Sequence, residues 1–370
     1  MTDSTADKSA AAPALKEIFN RERLRHFALE TAAVWPGFDQ TRFLALATTG
    51  LDELGIMQRM RQTAVSFRET LPEDFRTALP ILLDLAPRIG HGFAAITLSE
   101  FVALYGQEHA DLSLDALRVL TRFGSSEFAI RHFLVADFAR TIAVMRAWAD
   151  DENEHVRRLA SEGSRPRLPW SFQLRNLIAD PSPTAPILEA LKGDPSLYVR
   201  KSVANHLNDI GKDHPDLLVG RLSGWDLSDR HTAWIARHAL RTLIKKGDAR
   251  ALALIGTTGR AEIRVEHFAV EPASIRLGER IATTAKLTST ATAAQRLVID
   301  YAIHYPKKNR VSKKVFKLKE VELLPGGECQ LSISQTVKDF TTRKHNAGIH
   351  RVELMANGDV VAESGFELIL

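Results

Sequence analysis

Residues 151–160 read DENEHVRRLA, and residues 194–203 read DPSLYVRKSV. In both stretches an acidic turn precedes a Val-Arg pair, Val156-Arg157 and then Val199-Arg200, and an apolar helical pattern follows. A weaker third copy, WIARHAL, begins at Trp234. Repeats of about 40 residues with this pattern are typical of stacked HEAT or armadillo helix pairs. Because one such pair cannot bury its apolar face alone, the copies predict a helical-repeat solenoid with function on its concave surface.

The composition is that of an ordinary globular chain with two or three domains. Its 370 residues are 45% hydrophobic and 25% charged, which is unlike a disordered chain. The sequence contains no apolar run of about 18 residues, so it predicts no membrane span. Residues 1–14 are expected to be a disordered tail rather than a signal peptide. The single Cys329 excludes an internal disulfide and favours a cytoplasmic location. The net charge of +4 permits an acidic partner without requiring one.

The pattern of apolar residues changes near residue 261. Before that point apolar residues recur at spacings of three and four, as from Phe75 to Ala86 and from Phe133 to Trp148, with breakers such as Pro87 between segments. After it, apolar and polar residues alternate in about seven short runs separated by turn signals. The sequence therefore predicts a mainly α protein, with a HEAT-like helical-repeat domain over residues 15–260 and an immunoglobulin-like β-sandwich over residues 261–370.

A basic cluster lies within the predicted sandwich. Its seven members have no acidic residue among them: Lys307, Lys308, Arg310, Lys313, Lys314, Lys317 and Lys319. Like charges at this density favour binding of a polyanion such as a phosphate backbone, which releases counterions when the cations bind. The alternative is a solvated strand edge that lysines protect against aggregation.

Several catalytic motifs are absent from the sequence. It contains no phosphate-binding Gly-rich loop followed by Lys and Ser or Thr, no Gly-x-Ser-x-Gly elbow and no His-Glu-x-x-His. The 13 His residues have no metal-ligand spacing, and one Cys cannot build a zinc knuckle. We therefore expect no metal and no cofactor, so any catalysis must depend on carboxylates, aromatic rings and bases.

The stretch from Arg122 to Asp209 resembles the AlkC branch of the HEAT-like DNA alkylation-repair glycosylases. The resemblance runs through FGSSEFAIR at 123–131, NEHVRRLASEG at 153–163, RPRLPW at 165–170 and YVRKSVANHLND at 198–209. The RLASEG run followed by RPRLPW is its most specific part, whereas many HEAT scaffolds carry the Val-Arg pair. The combination of a helical domain with an immunoglobulin-like domain extends the resemblance over nearly the whole chain.

The resemblance implies a monofunctional DNA glycosylase of base excision repair. Such an enzyme hydrolyses the N-glycosidic bond of cationic N-alkylated bases in duplex DNA, 3-methyladenine foremost, with 3-methylcytosine and 1-methyladenine as further lesions. A carboxylate beside the sugar could stabilise the oxocarbenium ion and act as base for water. The resemblance also implies a bacterial protein, which we expect to be a monomer in the cytosol.

Four residues of this stretch are the catalytic candidates: Glu162, Glu127, Asp209 and Trp170. Glu162 ends the helix that begins at Glu154, and its ordinary role would be an exposed i,i+4 partner of Arg158. Glu127, which lines the lesion pocket by resemblance, would ordinarily complement a helix dipole. Asp209 could end its helix on the surface. Trp170 could pack in a core, although its indole face suits a cationic base.

Basic side chains are expected to bind DNA phosphates without reading sequence. In the helical domain these are Arg158, Arg165, Arg167, Lys201, Lys245 and Lys246, and in the basic cluster they are Lys307, Lys308, Arg310, Lys313 and Lys314. Arg157 and Arg200 are expected to be structural instead, each bonding to the previous repeat.

Two alternatives to the glycosylase stay open at this point. A non-catalytic HEAT scaffold would bind a protein or peptide, and it predicts that Glu127, Glu162 and Trp170 scatter over unrelated surfaces. A non-enzymatic protein that binds damaged DNA predicts salt-dependent binding without release of a base.

Overall fold

The computed structural model describes residues 14–257, 259–340 and 344–370. Apart from Ala14, the predicted disordered tail lies outside these residues. The α-helices of the described chain are α1 Arg21–Val34, α2 Gln40–Thr48, α3 Ile56–Arg68, α4 Phe75–Ile89, α5 Ile96–Tyr105, α6 Ala110–Leu120, α7 Ile130–Ala136, α8 Phe138–Trp148, α9 Glu154–Gly163, α10 Arg175–Ala179, α11 Ala185–Ala190, α12 Leu197–Asp213, α13 Pro215–Ser223, α14 Arg230–Ala239, α15 Arg241–Lys245 and α16 Ala249–Leu254. Short 3-10 helices occupy Leu15–Phe19, Leu51–Glu53, Phe93–Ala95, Gln107–His109 and Ser182–Thr184.

The strands follow the helices along the chain. They are β1 Ile263–Glu271, β2 Ser274–Arg276, β3 Arg280–Ser289, β4 Gln295–Lys307, β5 Arg310–Leu323, β6 Glu328–Thr336, β7 Gly348–Ala356 and β8 Asp359–Ile369. Contacts divide the chain into two units, residues 1–209 and residues 210–370. The second unit therefore contains α13 to α16 as well as the strands. The predicted boundary near residue 261 coincides instead with the change from helix to strand.

The Val-Arg repeat has a structural explanation in the first unit. Arg157 donates to the two carbonyl oxygens of residues 151–152, in the turn before its own helix, and Arg200 donates in the same way to residues 194–195. Arg157 also binds the Asp194 carboxylate, with Nε 2.6 Å from Oδ2. An arginine of one copy is thus bonded to the turn of the following copy, whereas the sequence predicted bonding to the previous one.

Two predicted helix boundaries were wrong. The segment from Phe133 to Trp148 is two helices, because Asp137 leaves helical geometry and its side chain accepts a hydrogen bond from the backbone N–H of Arg140, capping α8. Pro87 does not separate helices but lies inside α4, which continues to Ile89. Pro80 lies inside the same helix as well, so neither proline ends it.

The second unit contains a β-sandwich of two sheets. One has the strand order β1-β3-β6 and the other β2-β8-β7-β4-β5, with neighbours antiparallel except for the short parallel pair β2–β8. Apolar side chains of both sheets, such as Leu287 and Leu354, fill the space between them. Asn357 and Gly358 connect β7 to β8 at φ 49° and 90°, as expected of a tight hairpin turn. The predicted mainly α fold with a C-terminal β-sandwich is confirmed.

Candidate active site

The last turn of α9 carries a carboxylate into the interior. The side chain of Asn153 caps the start of the helix, and Glu162 near its end is only 5% exposed. The sequence predicted that Glu162 ends this helix, whereas the helix includes one more residue, Gly163. A Cβ atom on Gly163 would come within 2.4 Å of Ile130 Cγ2. A glycine there lets the end of α9 approach α7 closely, which positions Glu162.

Five charged side chains form a continuous chain of ion pairs around Glu162. Arg158 lies between two carboxylates, with Nη1 2.5 Å from Glu127 Oε2 and Nη2 3.7 Å from Glu162 Oε1. Arg165 joins the next two, with Nη1 2.6 Å from Glu162 Oε1 and both Nε and Nη2 2.9 Å from Asp209 Oδ2. Three segments distant in sequence, around residues 127, 158–165 and 209, therefore meet at one place.

This ion-pair chain joins three carboxylates to two guanidinium groups. The buried guanidinium of Arg131 also interacts electrostatically with Glu127, Glu162 and Asp209, so positive and negative groups are equal in number here. Burial by itself would lower the pKa of Arg158, but Glu127 and Glu162 raise it above its usual value. Burial opposes the positive charge of Arg165 in the same way, and Glu162 and Asp209 raise its pKa too. Both arginines are therefore charged at any physiological pH.

Two polar or aromatic side chains hold Arg158 in place. Ser125 Oγ accepts a hydrogen bond from Arg158 Nη1 at 2.8 Å and donates one to Glu127 Oε2 at 2.8 Å. The ring of Tyr198 lies 4.8 Å from the Arg158 guanidinium carbon, within the range of a cation–π interaction. Its position in the repeat matches that of His155, and these two rings contact each other at 5.4 Å.

A cavity of about 320 Å³ opens beside the ion-pair chain. Glu127, Arg158, Tyr198 and Phe93 are among its lining residues. Trp170 contacts Phe93 edge to face, with ring centroids 5.8 Å apart, and is 57% exposed. Its φ of 65° is left-handed, an uncommon conformation for a bulky residue. Trp170 itself lines a second cavity, of about 330 Å³, and touches the first one only through Phe93. Its exposure shows that it does not pack in a core.

Comparison with known proteins adds four matches. The family described as DNA alkylation repair enzyme matches residues 121–244, and the family described as uncharacterised protein YhaZ, C-terminal Ig-like domain, matches residues 264–370. Protein YhaZ of Bacillus subtilis (strain 168) is 42% identical over 356 residues, 96% of this chain and 99% of that protein. Pseudomonas fluorescens alkylpurine DNA glycosylase AlkC, solved bound to DNA containing an abasic site analog, is 53% identical with a TM-score of 0.94, covering 97% of this chain and 100% of that one.

This chain belongs to the AlkC family of DNA alkylation-repair enzymes. The family resemblance inferred from the sequence is confirmed, and so is the immunoglobulin-like character of the sandwich. Of the catalytic candidates in this AlkC-family enzyme, Glu127, Glu162 and Asp209 lie in one ion-pair chain, and Trp170 lies beside the adjoining cavity. Asp209 does not end its helix on the surface: it lies within α12 and is 2% exposed.

The basic residues predicted in the helical part have different surroundings. Arg158 and Arg165 are almost buried within the ion-pair chain, and Arg167 is half-buried. Three others are exposed: Lys201, Lys245 and Lys246. Lys245 also donates a hydrogen bond to the Val315 carbonyl oxygen at 3.0 Å.

The basic cluster of this AlkC-family enzyme is the β4–β5 hairpin, where Lys307 pairs in register with Arg310. Part of its charge is neutralised, because Lys313 Nζ lies 2.7 Å from Glu353 Oε2 and Lys317 binds Glu320. Lys307 donates to the Lys344 carbonyl oxygen. Four exposed members have no acidic partner among the described residues: Lys308, Arg310, Lys314 and Lys319.

Sequence reasoning missed the residues that support the carboxylates. Ser125, Tyr198 and Arg131 all lie in the stretches that resemble the family. Neither their residue type nor their spacing in the sequence distinguishes them as functional. The shared repeat position of His155 and Tyr198 is the one signal that could have identified a ring next to Arg158. Over the described residues, no cluster of His, Cys, Asp or Glu could hold a metal ion, and no helix could cross a membrane.

Proposed function

We propose that this chain is a monofunctional DNA glycosylase for cationic N-alkylated bases in duplex DNA. The preferred lesion is 3-methyladenine, with 3-methylcytosine and 1-methyladenine as further substrates. The observation that carries the proposal is the buried ion-pair chain, which brings three carboxylates together, near an exposed indole. Similarity over the whole chain to an alkylpurine DNA glycosylase bound to abasic DNA supports it. The enzyme works as a monomer in the bacterial cytosol, without metal or cofactor.

Glu162 is the proposed catalytic carboxylate. Both arginines have their shortest contact with its Oε1. Among the described residues, no group donates a hydrogen bond to Oε2. As the N-glycosidic bond breaks, its electron pair leaves with the base, which becomes neutral, and C1′ acquires positive charge. Oε2 stabilises that charge and takes a proton from the water that attacks C1′. A cationic base is already a good leaving group, so the mechanism needs no acid to protonate it.

The other three candidates bind the base or contribute to the electrostatic potential around it. Glu127 lines the cavity and attracts the positive charge of the alkylated base. Trp170 offers an exposed indole for a cation–π contact with that base. Asp209 fixes Arg165 and adds to the negative potential that favours a cationic sugar.

Arg158 and Arg165 hold the carboxylates in this proposal, and any phosphate contact is secondary for them. Their donors already bind Glu127, Glu162 and Asp209. Phosphates bind instead to exposed cations in each unit, among them Lys201, Lys246 and the β4–β5 hairpin. Such contacts carry no sequence information, so the proposed selectivity comes from the charge of the lesion and its weakened bond.

The scaffold alternative has less support than the glycosylase. It predicted scattered positions for Glu127, Glu162 and Trp170, whereas Glu127 and Glu162 share Arg158, and Trp170 contacts Phe93 of the same cavity. A protein that only binds damaged DNA remains distinguishable by experiment.

The test of this proposal is a product analysis with the wild-type protein and a duplex that contains one 3-methyladenine. We expect free methylated base and abasic sites in equal amounts, an uncut strand, and no release from the undamaged duplex. Tight binding without any free base would instead identify a damage-binding protein.

A further inference from the structure

Arg131, near the start of α7, is the least exposed arginine around the candidate site. Its relative exposure is 0%, and its guanidinium makes three hydrogen bonds to backbone. Nη1 donates to the carbonyl oxygens of Gly163 at 3.1 Å and Arg165 at 2.7 Å, and Nη2 donates to that of Phe172 at 2.5 Å. The guanidinium also lies against the Phe172 ring, 5.4 Å from its centroid.

These three carbonyl oxygens span the turn that connects the catalytic candidates. Gly163 directly follows Glu162, and Phe172 lies two residues beyond Trp170. A guanidinium is planar, with its donors at fixed separations, so binding both ends of a turn sets the distance between them. The left-handed Trp170 also needs surroundings that hold it, because this conformation costs about 1–3 kcal/mol in a non-glycine residue.

Burying a charged side chain at this position costs free energy. Burial disfavours the positive charge and, together with the neighbouring Arg165, lowers the pKa of Arg131 to about 10, although Asp209, Glu127 and Glu162 favour the charged form. The group is still charged at neutral pH. An apolar side chain of similar volume would avoid this cost, but it could not donate to the three carbonyl oxygens.

We propose that Arg131 is a positioning residue, which fixes the end of α9 and the Trp170 turn at one separation. Glu162, Arg165 and Trp170 thereby keep the spacing that excision requires. This role rests on the proposed glycosylase function, since it concerns the geometry of the same site.

The test compares Arg131→Lys with a matched control. A lysine keeps the positive charge, but a single ammonium cannot reproduce donors from two nitrogens at fixed separation. Arg59 provides the control: it is 2% exposed and donates to the carbonyl oxygens of Leu54, Lys16 and Phe19, none of which belongs to the Glu162–Trp170 turn. Arg59→Lys should therefore lose comparable stability without moving the Glu162–Trp170 turn.

We expect single-turnover release of 3-methyladenine by Arg131→Lys to fall by about tenfold to a hundredfold, the scale of a misplacement of about 1 Å. The dissociation constant for DNA should stay within about twofold, and Arg59→Lys should excise at the wild-type rate. Both variants are assayed at a temperature at which circular dichroism shows them folded. Should Arg131→Lys not fold, Arg131→Gln, which keeps a planar group with two N–H donors, replaces it.

Each other outcome contradicts a different claim. Wild-type excision by Arg131→Lys would overturn the positioning role while leaving the glycosylase intact. Equal losses of rate in the Arg131 and Arg59 variants, or failure of both Arg131 variants to fold while Arg59→Lys folds, would make Arg131 a purely structural residue. If the wild type releases no base, the proposed function fails, and this role fails with it.

Discussion

Glu162 has its shortest contacts to two arginines at Oε1, and among the described residues Oε2 accepts no hydrogen bond. Arg158 and Arg165 both reach Oε1, and the surrounding protein removes most water from this ion pair. Buried pairs of this kind are electrostatically stronger than exposed ones but lose more when a partner is removed. The arrangement fixes the orientation of the carboxylate, and in the proposed mechanism Oε2 is the oxygen that faces the sugar and the water. Any change that lets Arg158 or Arg165 move should therefore lower the excision rate before it lowers DNA affinity.

Tyr198 allows this expectation to be tested without touching a charged group. Its ring lies against Arg158, and its hydroxyl makes no hydrogen bond to any of the described residues. We predict that Tyr198→Ala lowers single-turnover excision by between about threefold and about thirtyfold, the range of a lost cation–π contact. Tyr198→Phe keeps the ring and should remain close to wild type. A loss in Tyr198→Phe as large as in Tyr198→Ala would mean that the hydroxyl, rather than the ring, is what matters.

Asp300 of β4 predicts a pH dependence of stability in the second unit. Burial raises its pKa from 3.8 to about 6, against the opposing effect of Lys245 and Lys317. A carboxyl whose pKa is higher in the folded protein stabilises the fold fully below its unfolded pKa, and this contribution is lost as the pH rises through about 6. Asp300→Asn has no such titration. The Tm of Asp300→Asn minus the Tm of the wild type, measured by circular dichroism, should therefore increase from pH 4 to pH 7. A difference that stays constant over this range would contradict the assignment.

At the scale of elements, the cations of the β4–β5 hairpin differ in whether an acidic side chain neutralises them. Lys317 binds Glu320 and Lys313 binds Glu353, whereas Lys308, Arg310, Lys314 and Lys319 have no acidic partner among the described residues. A cation without an acidic partner releases a counterion from DNA when it binds a phosphate. A lysine in an ion pair must first separate from its carboxylate. The register of β4 and β5 therefore decides which members of the predicted cluster can contribute to DNA binding.

We predict that replacing Lys308, Arg310 and Lys314 together by Gln weakens DNA binding and flattens its salt dependence. Each lost phosphate contact removes about 0.9 from the slope of log K against log salt, so the slope should fall by roughly two to three. The excision rate at saturating protein should not change. Lys317→Gln serves as the control and should affect the slope less. An unchanged slope in the triple variant would support the alternative of a strand edge that lysines protect against aggregation.

At the scale of the whole molecule, much of the fold could be predicted because its signals are local and repeated. The Val-Arg copies follow from an arginine that bonds its own turn and the next, and the change to alternating residues marks the strands. The division of the chain at Asp209 could not be read in this way. It depends on which surfaces pack together, and α13 to α16 have the same helical pattern as the helices before them.

The candidate site was predictable only in part for a related reason. Residue type and resemblance selected the three carboxylates and Trp170 as candidates, since these residue types suit the proposed chemistry. Glu162 is three or four residues from both arginines, but Glu127 and Asp209 come from segments more than thirty residues away. Pairing across such distances leaves no periodic signal. The contacts of Arg131 to three carbonyl oxygens are invisible to sequence for the same reason, because backbone groups are common to all residues.

The most direct test of the central claim is single-turnover excision of 3-methyladenine by Glu162→Gln, beside Glu154→Gln from the exposed first turn of the same helix. Gln keeps the size of the side chain but removes the charge that stabilises the sugar cation. We predict that Glu162→Gln binds DNA like the wild type while its excision rate falls by at least about a hundredfold, and that Glu154→Gln keeps the wild-type rate. Wild-type excision by a folded Glu162→Gln variant would contradict the assignment of catalysis to this ion-pair chain.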